Sequence, residues 1–253
     1  THDVCCKEVM QLEKMRRKQL AKTGQTMSVG DEAEHVYALV KLRLFTNQRR
    51  FKQAVKVMRK YAANPVVQLD GIKAMWLFAQ ASPTKPRDML EQTRKQLVTA
   101  GACEVVVSAM QRHETVYEIS VPWGLQCVAA LATTGSSAVS TFFGAGGADM
   151  IGSLLKRFPR NEEVYDLCAK CLFDCSAKSA IATANRCKAI GVDKLLLNSL
   201  FRFKDPGRKC VWQWKYVRPL LGNMGVSVKE AYEEKMTSRI LQAKPKMAKA
   251  VAK

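Results

Sequence analysis

The chain has 253 residues, of which 47% are hydrophobic and 25% are charged, enough for one continuous buried core. No apolar run is long enough to predict a membrane-spanning helix, and nine cysteines are too sparse for a disulfide scaffold, so free thiols are expected. The net charge of +19 indicates an anionic partner (RNA, an acidic protein or anionic lipid), with a protein that merely has basic tails as the alternative.

The positive charge is concentrated at the two ends of the chain. Residues 1–60 hold 14 basic and 6 acidic side chains, residues 61–201 hold 14 and 12, and residues 202–253 hold 13 and 4. Residues 1–30 are predicted to be a basic extension that contains an amphipathic helix. Its candidate residues for binding an anionic partner are Arg16, Arg17 and Lys18.

The segment after this extension predicts two helices with different surfaces. Residues 31–46 open with acidic side chains, as the first turn of a helix favours. If the next helix begins at Phe51, basic residues at i, i+4, i+7 and i+8 share one of its faces. This stripe is the leading candidate for binding phosphates, and a solvated charged face is the alternative. Its residues are Arg49, Arg50, Lys52, Lys56, Arg59 and Lys60.

Four short segments of the chain match one another. Each has an apolar Met or Leu, then any residue, then a base and then a ring. The apolar anchors are Met58, Met110, Leu155 and Leu200, which are spaced 52, 45 and 45 residues apart. Each anchor is followed by a second predicted helix of small and large apolar residues. These second helices cover residues 71–79, 124–132, 168–176 and 217–225.

A glycine precedes the anchor helix in three of these units. Gly101, Gly147 and Gly191 each stand shortly before an acidic residue. Glycine suits the left-handed residue between two helices, and an acid in the first turn is favoured by the helix dipole. We therefore expect these three glycines to adopt a left-handed conformation.

The repeat resembles the armadillo family, with HEAT repeats as the near alternative. Residues 147–155 (Gly-Ala-Asp-Met-Ile-Gly-Ser-Leu-Leu) match the first half of its motif, and residues 125–132 (Leu-Gln-Cys-Val-Ala-Ala-Leu-Ala) match the second half. The resemblance implies an all-α fold, an armadillo-like right-handed superhelix of about four helical repeats with flanking helices. The expected domains are the basic extension 1–30, the repeat domain 31–226, and a C-terminal helix with a basic tail over 227–253.

Peptide-binding armadillo proteins carry a ladder of Asn side chains on their concave face. The positions here that match this ladder are Leu77, Ala130, Asp174 and Asn223. Because only one of them is Asn, the resemblance argues against capture of extended peptides. The concave face is instead expected to pack against a folded partner.

The cysteine and histidine residues of the units, which could bind a metal or take part in catalysis, are predicted to have structural roles. Cys168, Cys171 and Cys175 take small, buried helix positions, so packing is favoured over metal binding. His113 takes the ring position of the repeat, and no phosphate-binding loop or catalytic triad is recognisable. We therefore expect no enzyme activity, no cofactor and no metal site.

A last basic group near the C-terminus completes the candidate sites: Arg202, Lys204, Arg208 and Lys209. Basic ends on a repeat domain favour a non-catalytic scaffold, a structural subunit of a large assembly. A mitochondrial ribosome, with contacts to protein and rRNA, fits this basicity and the start at Thr1, while a cytoplasmic location is the alternative. The other candidates are an accessory subunit of a protein-only complex (respiratory complex, ATP synthase or cytoskeletal or axonemal assembly), which could meet but not span a membrane, and an armadillo-type peptide adaptor.

Overall fold

All regular elements that the computed structural model describes are helices, which confirms the all-α prediction. The structure describes residues 29–80, 86–117, 119–203, 211–230 and 233. The helices are α1 (Val29–Asn47), α2 (Phe51–Lys60), α3 (Pro65–Ala79), α4 (Arg87–Thr99), α5 (Ala102–Arg112), α6 (Gln126–Ala132), α7 (Ser136–Gly144), α8 (Gly147–Arg157), α9 (Glu162–Lys178), α10 (Ala180–Ala189), α11 (Val192–Arg202) and α12 (Arg218–Asn223). Two π-helical segments, Ile119–Leu125 and Gln213–Val217, lead directly into α6 and α12.

The helices fall into four successive groups of three, which we name units 1 to 4. The second helices α2, α5, α8 and α11 contact one another in that order. The third helices α3, α6, α9 and α12 do the same, each with the π-helical segment that precedes it where there is one. The sequence predicted the second and third helix of each unit but not the first helices α4, α7 and α10. Helix α4 buries only Leu90, Thr93 and Leu97, so its apolar pattern is weak, whereas α7 buries Ala138, Val139, Phe142 and Phe143 but is only nine residues long.

The four anchors of the sequence repeat lie in one continuous core. Met58, Met110 and Leu155 are fully buried, and Leu200 is 8% exposed. The core extends through buried side chains of all four units without a break. No single helix in the described ranges is long and apolar enough to cross a membrane, although α7 and α8, bent by 64° at their junction, pass that test as a pair.

Local sequence explains where two of the third helices begin. The side-chain oxygen of Asn64 accepts hydrogen bonds from the backbone N–H groups of Val66 and Val67, and Pro65 occupies the first turn. Asn161 caps α9 in the same way, because its side chain accepts a hydrogen bond from the backbone N–H of Val164. Asn at these positions therefore ends the loop after each anchor helix and starts the next helix.

The predicted left-handed glycine of unit 3 is Gly146, not Gly147. Gly101, Gly146 and Gly191 have φ angles of 88°, 86° and 74°, whereas Gly147 begins α8. Gly147 is required for a different reason: a Cβ there would lie 1.9 Å from a ring carbon of Phe142. The sequence contains adjacent glycines, and only packing against Phe142 distinguishes their roles.

A two-pronged ion pair joins α1 to α3 in unit 1. The guanidinium of Arg43 donates from Nε to one oxygen of Asp70 and from Nη2 to the other, both at 3.0 Å. The two side chains are only 17% and 11% exposed. Because both charges are largely removed from water, each needs the opposite charge to offset the free-energy cost of its burial.

Candidate anionic-partner interface

Helix α2 begins at Phe51, as predicted, and separates apolar from basic side chains. Phe51, Ala54, Val55 and Met58 are buried. The basic stripe on the other side is exposed: Lys52, Lys56, Arg59 and Lys60. The helix therefore presents its cations to solvent while its opposite face packs into the core of unit 1.

The cations of this region differ in whether they have partners inside the protein. Lys60 forms an ion pair with Glu34 at 3.0 Å, and hydrogen bonds with Tyr61 and Glu34 raise its pKa. The guanidinium of Arg50 lies over the ring of Phe45, with 5.0 Å to the centroid. In contrast, Lys52, Lys56 and Arg59 form no hydrogen bond or ion pair with any described residue.

Unit 1 departs from units 2 and 3 at three equivalent positions, and each departure introduces a cation. Counted back from the anchor, these positions are nine, six and two residues away. Units 2 and 3 have glycine, an acid and serine there, which are Gly101, Glu104 and Ser108 in unit 2 and Gly146, Asp149 and Ser153 in unit 3. Unit 1 has Arg49, Lys52 and Lys56. Unit 4 has Gly191, Lys194 and Asn198, so it shares the cation at the middle position with unit 1.

Two of these replacements oppose the local backbone. Arg49 adopts a φ angle of 56°, the left-handed conformation that glycine adopts in the other units. Lys52 lies in the first turn of α2, where the helix dipole disfavours positive charge. Arg49 Nη2 also donates a hydrogen bond to the sulfur of Met89 on α4 at 3.6 Å, so part of its local cost is offset within the fold. Residues that oppose the local backbone preference often mark functional sites.

One further arginine, which the sequence analysis did not select, borders the same surface. Arg59 and Arg112 both line a groove of about 240 Å³ between α2 and α5. Arg112 is exposed and has no hydrogen bond or ion pair with a residue that the structure describes. The sequence alone could have pointed to Arg112, because it occupies the basic position of the repeat that follows the anchor Met110. We name Arg49, Lys52, Lys56, Arg59 and Arg112 the α2 cation cluster.

The other repeated bases and rings join neighbouring units. Arg157 donates to the backbone carbonyl of Glu114 at 2.9 Å, and Arg202 donates to that of Pro159 at 2.6 Å. In unit 2 the residue at the ring position makes the contact with the preceding unit: His113 Nε2 donates a hydrogen bond to the carbonyl of Ala62 at 2.8 Å. Most of this part of the repeat motif is therefore explained by contacts between units.

Among the remaining predicted basic sites, Arg202 lies in the part of the chain that the structure describes. Arg202 also donates to the hydroxyl of Tyr165 at 3.2 Å, so its guanidinium is engaged within the fold. The other predicted residues lie outside the described residues: Arg16, Arg17, Lys18, Lys204, Arg208 and Lys209.

The predicted concave-face positions lie on the third helices. Leu77 is 51% exposed and Asn223 is exposed, whereas Ala130 and Asp174 are half-buried. Burial raises the pKa of Asp174, and the positive charge of Lys170, among others, opposes this shift. These positions therefore offer one apolar, one small, one acidic and one amide side chain rather than a uniform ladder.

Aromatic pairs connect neighbouring third helices on this side. The rings of Trp76 and Trp123 meet edge to face at 4.9 Å, and Lys73 lies 5.0 Å from the Trp123 ring centroid. Phe173 and Tyr216 form a second pair at 5.7 Å. The pairs bridge unit 1 to unit 2 and unit 3 to unit 4, which gives them a clear packing role.

The described cysteines are buried free thiols: Cys103, Cys127, Cys168, Cys171, Cys175 and Cys187. Burial raises the pKa of Cys103 and of Cys187 to about 12. A hydrogen bond with Cys175, together with burial, raises the pKa of Cys171. In the ranges that the structure describes, no three His, Cys, Asp or Glu residues are grouped so that they could hold a metal ion.

These thiols should be unreactive in the native chain. In a variant in which Ser replaces Cys5, Cys6 and Cys210, we expect little reaction with Ellman's reagent until guanidinium chloride is added. At about pH 8, a thiol with a pKa near 12 is roughly one part in ten thousand thiolate, and burial also excludes the reagent. Rapid native-state labelling of any of the six would show that the core opens locally, contrary to this prediction.

Comparisons with known proteins bear only on the fold. No protein-family model matches the sequence, and no curated protein is significantly similar to it. Among solved structures, the crystal structure of an engineered protein from a structural genomics consortium superimposes with a TM-score of 0.55 at 18% sequence identity. The match covers 73% of this chain and 66% of the engineered chain. At this identity the similarity describes the fold alone.

Proposed function

We propose that the chain is a non-catalytic scaffold built as an armadillo-like right-handed superhelix, and that it is a structural subunit of an assembly that contains RNA. The continuous core supports the stacking of units, because each unit buries its apolar side chains against its neighbours. The α2 cation cluster supports the contact with RNA.

The observation that carries the RNA contact is that unit 1 has three cations where units 2 and 3 have glycine, an acid and serine. Arg49 and Lys52 oppose the local backbone preference, so stability alone does not account for them. The exposed cations without internal partners follow α2 and continue to Arg112 on α5. A row of cations along one helix matches the regularly spaced charges of a phosphate backbone.

The test is the salt dependence of RNA binding. Fluorescence anisotropy would measure the affinity of the full chain for a short labelled single-stranded RNA over a series of KCl concentrations. Substituting Arg59→Gln and Arg112→Gln should lower the slope of log affinity against log salt by about 1.4, since each single-strand phosphate contact contributes about 0.7. The matched control is Lys178→Gln with Lys188→Gln, which removes two exposed cations elsewhere.

Two results would contradict the proposal. One is an equal slope for both pairs of variants, because general basicity would then explain the binding. The other is displacement of the RNA by polyglutamate at an equal concentration of charges. That result would favour an acidic protein as the partner of this surface.

A further inference from the structure

The exposed side of α1 carries an apolar stripe next to α2. Tyr37, Val40 and Leu44 are 54%, 44% and 49% exposed, and their i, i+3, i+7 spacing places them on one face. We propose that this α1 stripe, defined by these three residues, binds an acidic amphipathic helix of a partner protein. The proposal goes beyond the RNA contact because its apolar anchors lie on α1 and its partner is a protein, although Lys56 of the α2 cation cluster also lines the groove beside the stripe.

A groove of about 220 Å³ between α1 and α2 adjoins the stripe. Tyr37, Phe45 and Val57 contribute its apolar lining. Three large exposed apolar side chains beside a groove form a surface on which the apolar face of an amphipathic partner helix can dock, with anchors at i, i+3 and i+7 of that partner. At the end of a helical stack, such a face is where a further helix would continue the packing.

The charges around this groove select an acidic partner. Lys41, Lys56 and Lys60 line it, and Lys41 Nζ also lies 4.2 Å from the centroid of the Tyr37 ring. No carboxylate is among its lining residues.

The grooves between the second helices of neighbouring units do contain carboxylates. The groove between α2 and α5 is lined by Glu104, and the one between α5 and α8 by Glu114 and Asp149. The groove between α1 and α2 thus keeps a net positive charge from its three lysines, of which Lys60 is paired with Glu34. This net charge disfavours cationic partners and attracts acidic ones.

The same charges argue against two other occupants. Residues 3–22 of this chain have apolar residues at helical spacing, but they carry six bases and three acids. A second copy of the chain would present the same lysines to this groove. Because like charges brought together at an interface are repelled, neither occupant matches the surface. An acidic helix supplies both the apolar anchors and the countercharge.

The experiment uses the full chain and two labelled peptides of about five helical turns. Both have Leu at i, i+3, i+4 and i+7, and they carry either Glu or Lys at the flanking positions. By fluorescence anisotropy, the Glu peptide should bind at least roughly tenfold more tightly than the Lys peptide. Leu44→Ser should weaken its binding roughly tenfold, while Ile181→Ser, the control at a site that is 78% exposed, should leave it unchanged.

Three outcomes would overturn the proposal. The first is equal binding of the two peptides, or binding that Leu44→Ser does not weaken. The second is self-association of the chain, detected by sedimentation velocity, that Leu44→Ser abolishes, because a second copy would then occupy the face. The third is a loss of RNA affinity in Leu44→Ser, which would make the stripe part of the RNA surface. We expect the RNA affinity of this variant to stay within about twofold of the parent chain.

Discussion

Replacing three unit 1 cations by glycine, an acid and serine, as in units 2 and 3, is expected to stabilise the fold while weakening RNA binding. The variant is Arg49→Gly, Lys52→Glu and Lys56→Ser. Glycine removes the cost of a left-handed arginine, and Glu in the first turn of α2 interacts favourably with the helix dipole. Together these changes should raise the free energy of unfolding by about 1–2 kcal/mol, as measured by urea denaturation.

The same variant should lose roughly 100-fold in RNA affinity at about 0.1 M salt, since three phosphate contacts are removed. The slope of log affinity against log salt should fall by about 2. Lys178→Glu with Lys188→Glu changes the net charge equally and serves as the control. Opposite effects on stability and affinity are the signature of a site maintained for function. A variant that loses both stability and affinity would contradict this explanation.

Substituting Arg43→Met is expected to lower the stability of the protein by about 3 kcal/mol. The change leaves the carboxylate of Asp70, whose side chain is only 11% exposed, without the two hydrogen bonds that it receives from Arg43. Since the pair joins α1 to α3, the loss should fall on unit 1. Thermal unfolding should show it as a decrease in Tm of about 10 °C.

Two comparisons make this prediction specific. In the double variant Arg43→Met with Asp70→Leu, the buried charge is also removed, and most of the stability should return. Lys95→Met breaks an ion pair with Glu91 whose side chains are more than half exposed, and it should cost less than about 0.5 kcal/mol. Equal losses in Arg43→Met and Lys95→Met would show that the burial of the pair does not matter.

The second and third helices of each unit could be predicted because their buried residues are apolar and recur at helical spacing in the sequence. Phe51, Ala54, Val55 and Met58 follow helical spacing, and they form the buried face of α2. The first helices α4 and α10 were not predicted because each contributes only a narrow apolar strip, and α7 was not predicted because it is only nine residues long. In α4, for example, Leu90 and Leu97 are the buried apolar residues of a helix of 13 residues. A pattern this sparse resembles an exposed loop as much as a helix.

The roles of the charged residues could not be read from the sequence in the same way. Arg59, Arg112 and Arg157 all follow an anchor closely, yet only Arg157 is hydrogen-bonded to a neighbouring unit's backbone. Whether a guanidinium has a partner depends on a loop that lies more than 40 residues earlier in the chain. Spacing along one helix contains no information about that loop.

The amino-acid sequence by itself determined the helical class of the chain, the positions of its core anchors and the exposure of the basic face of α2. These follow from local periodicity, because a helix buries residues at i, i+3 and i+4 wherever it packs. Only the tertiary structure decided which cations have partners, which of Gly146 and Gly147 is left-handed, and that Tyr37 of the exposed α1 stripe lines a groove with three lysines. Those properties arise where separate units meet, so they depend on contacts between residues that are far apart in the chain.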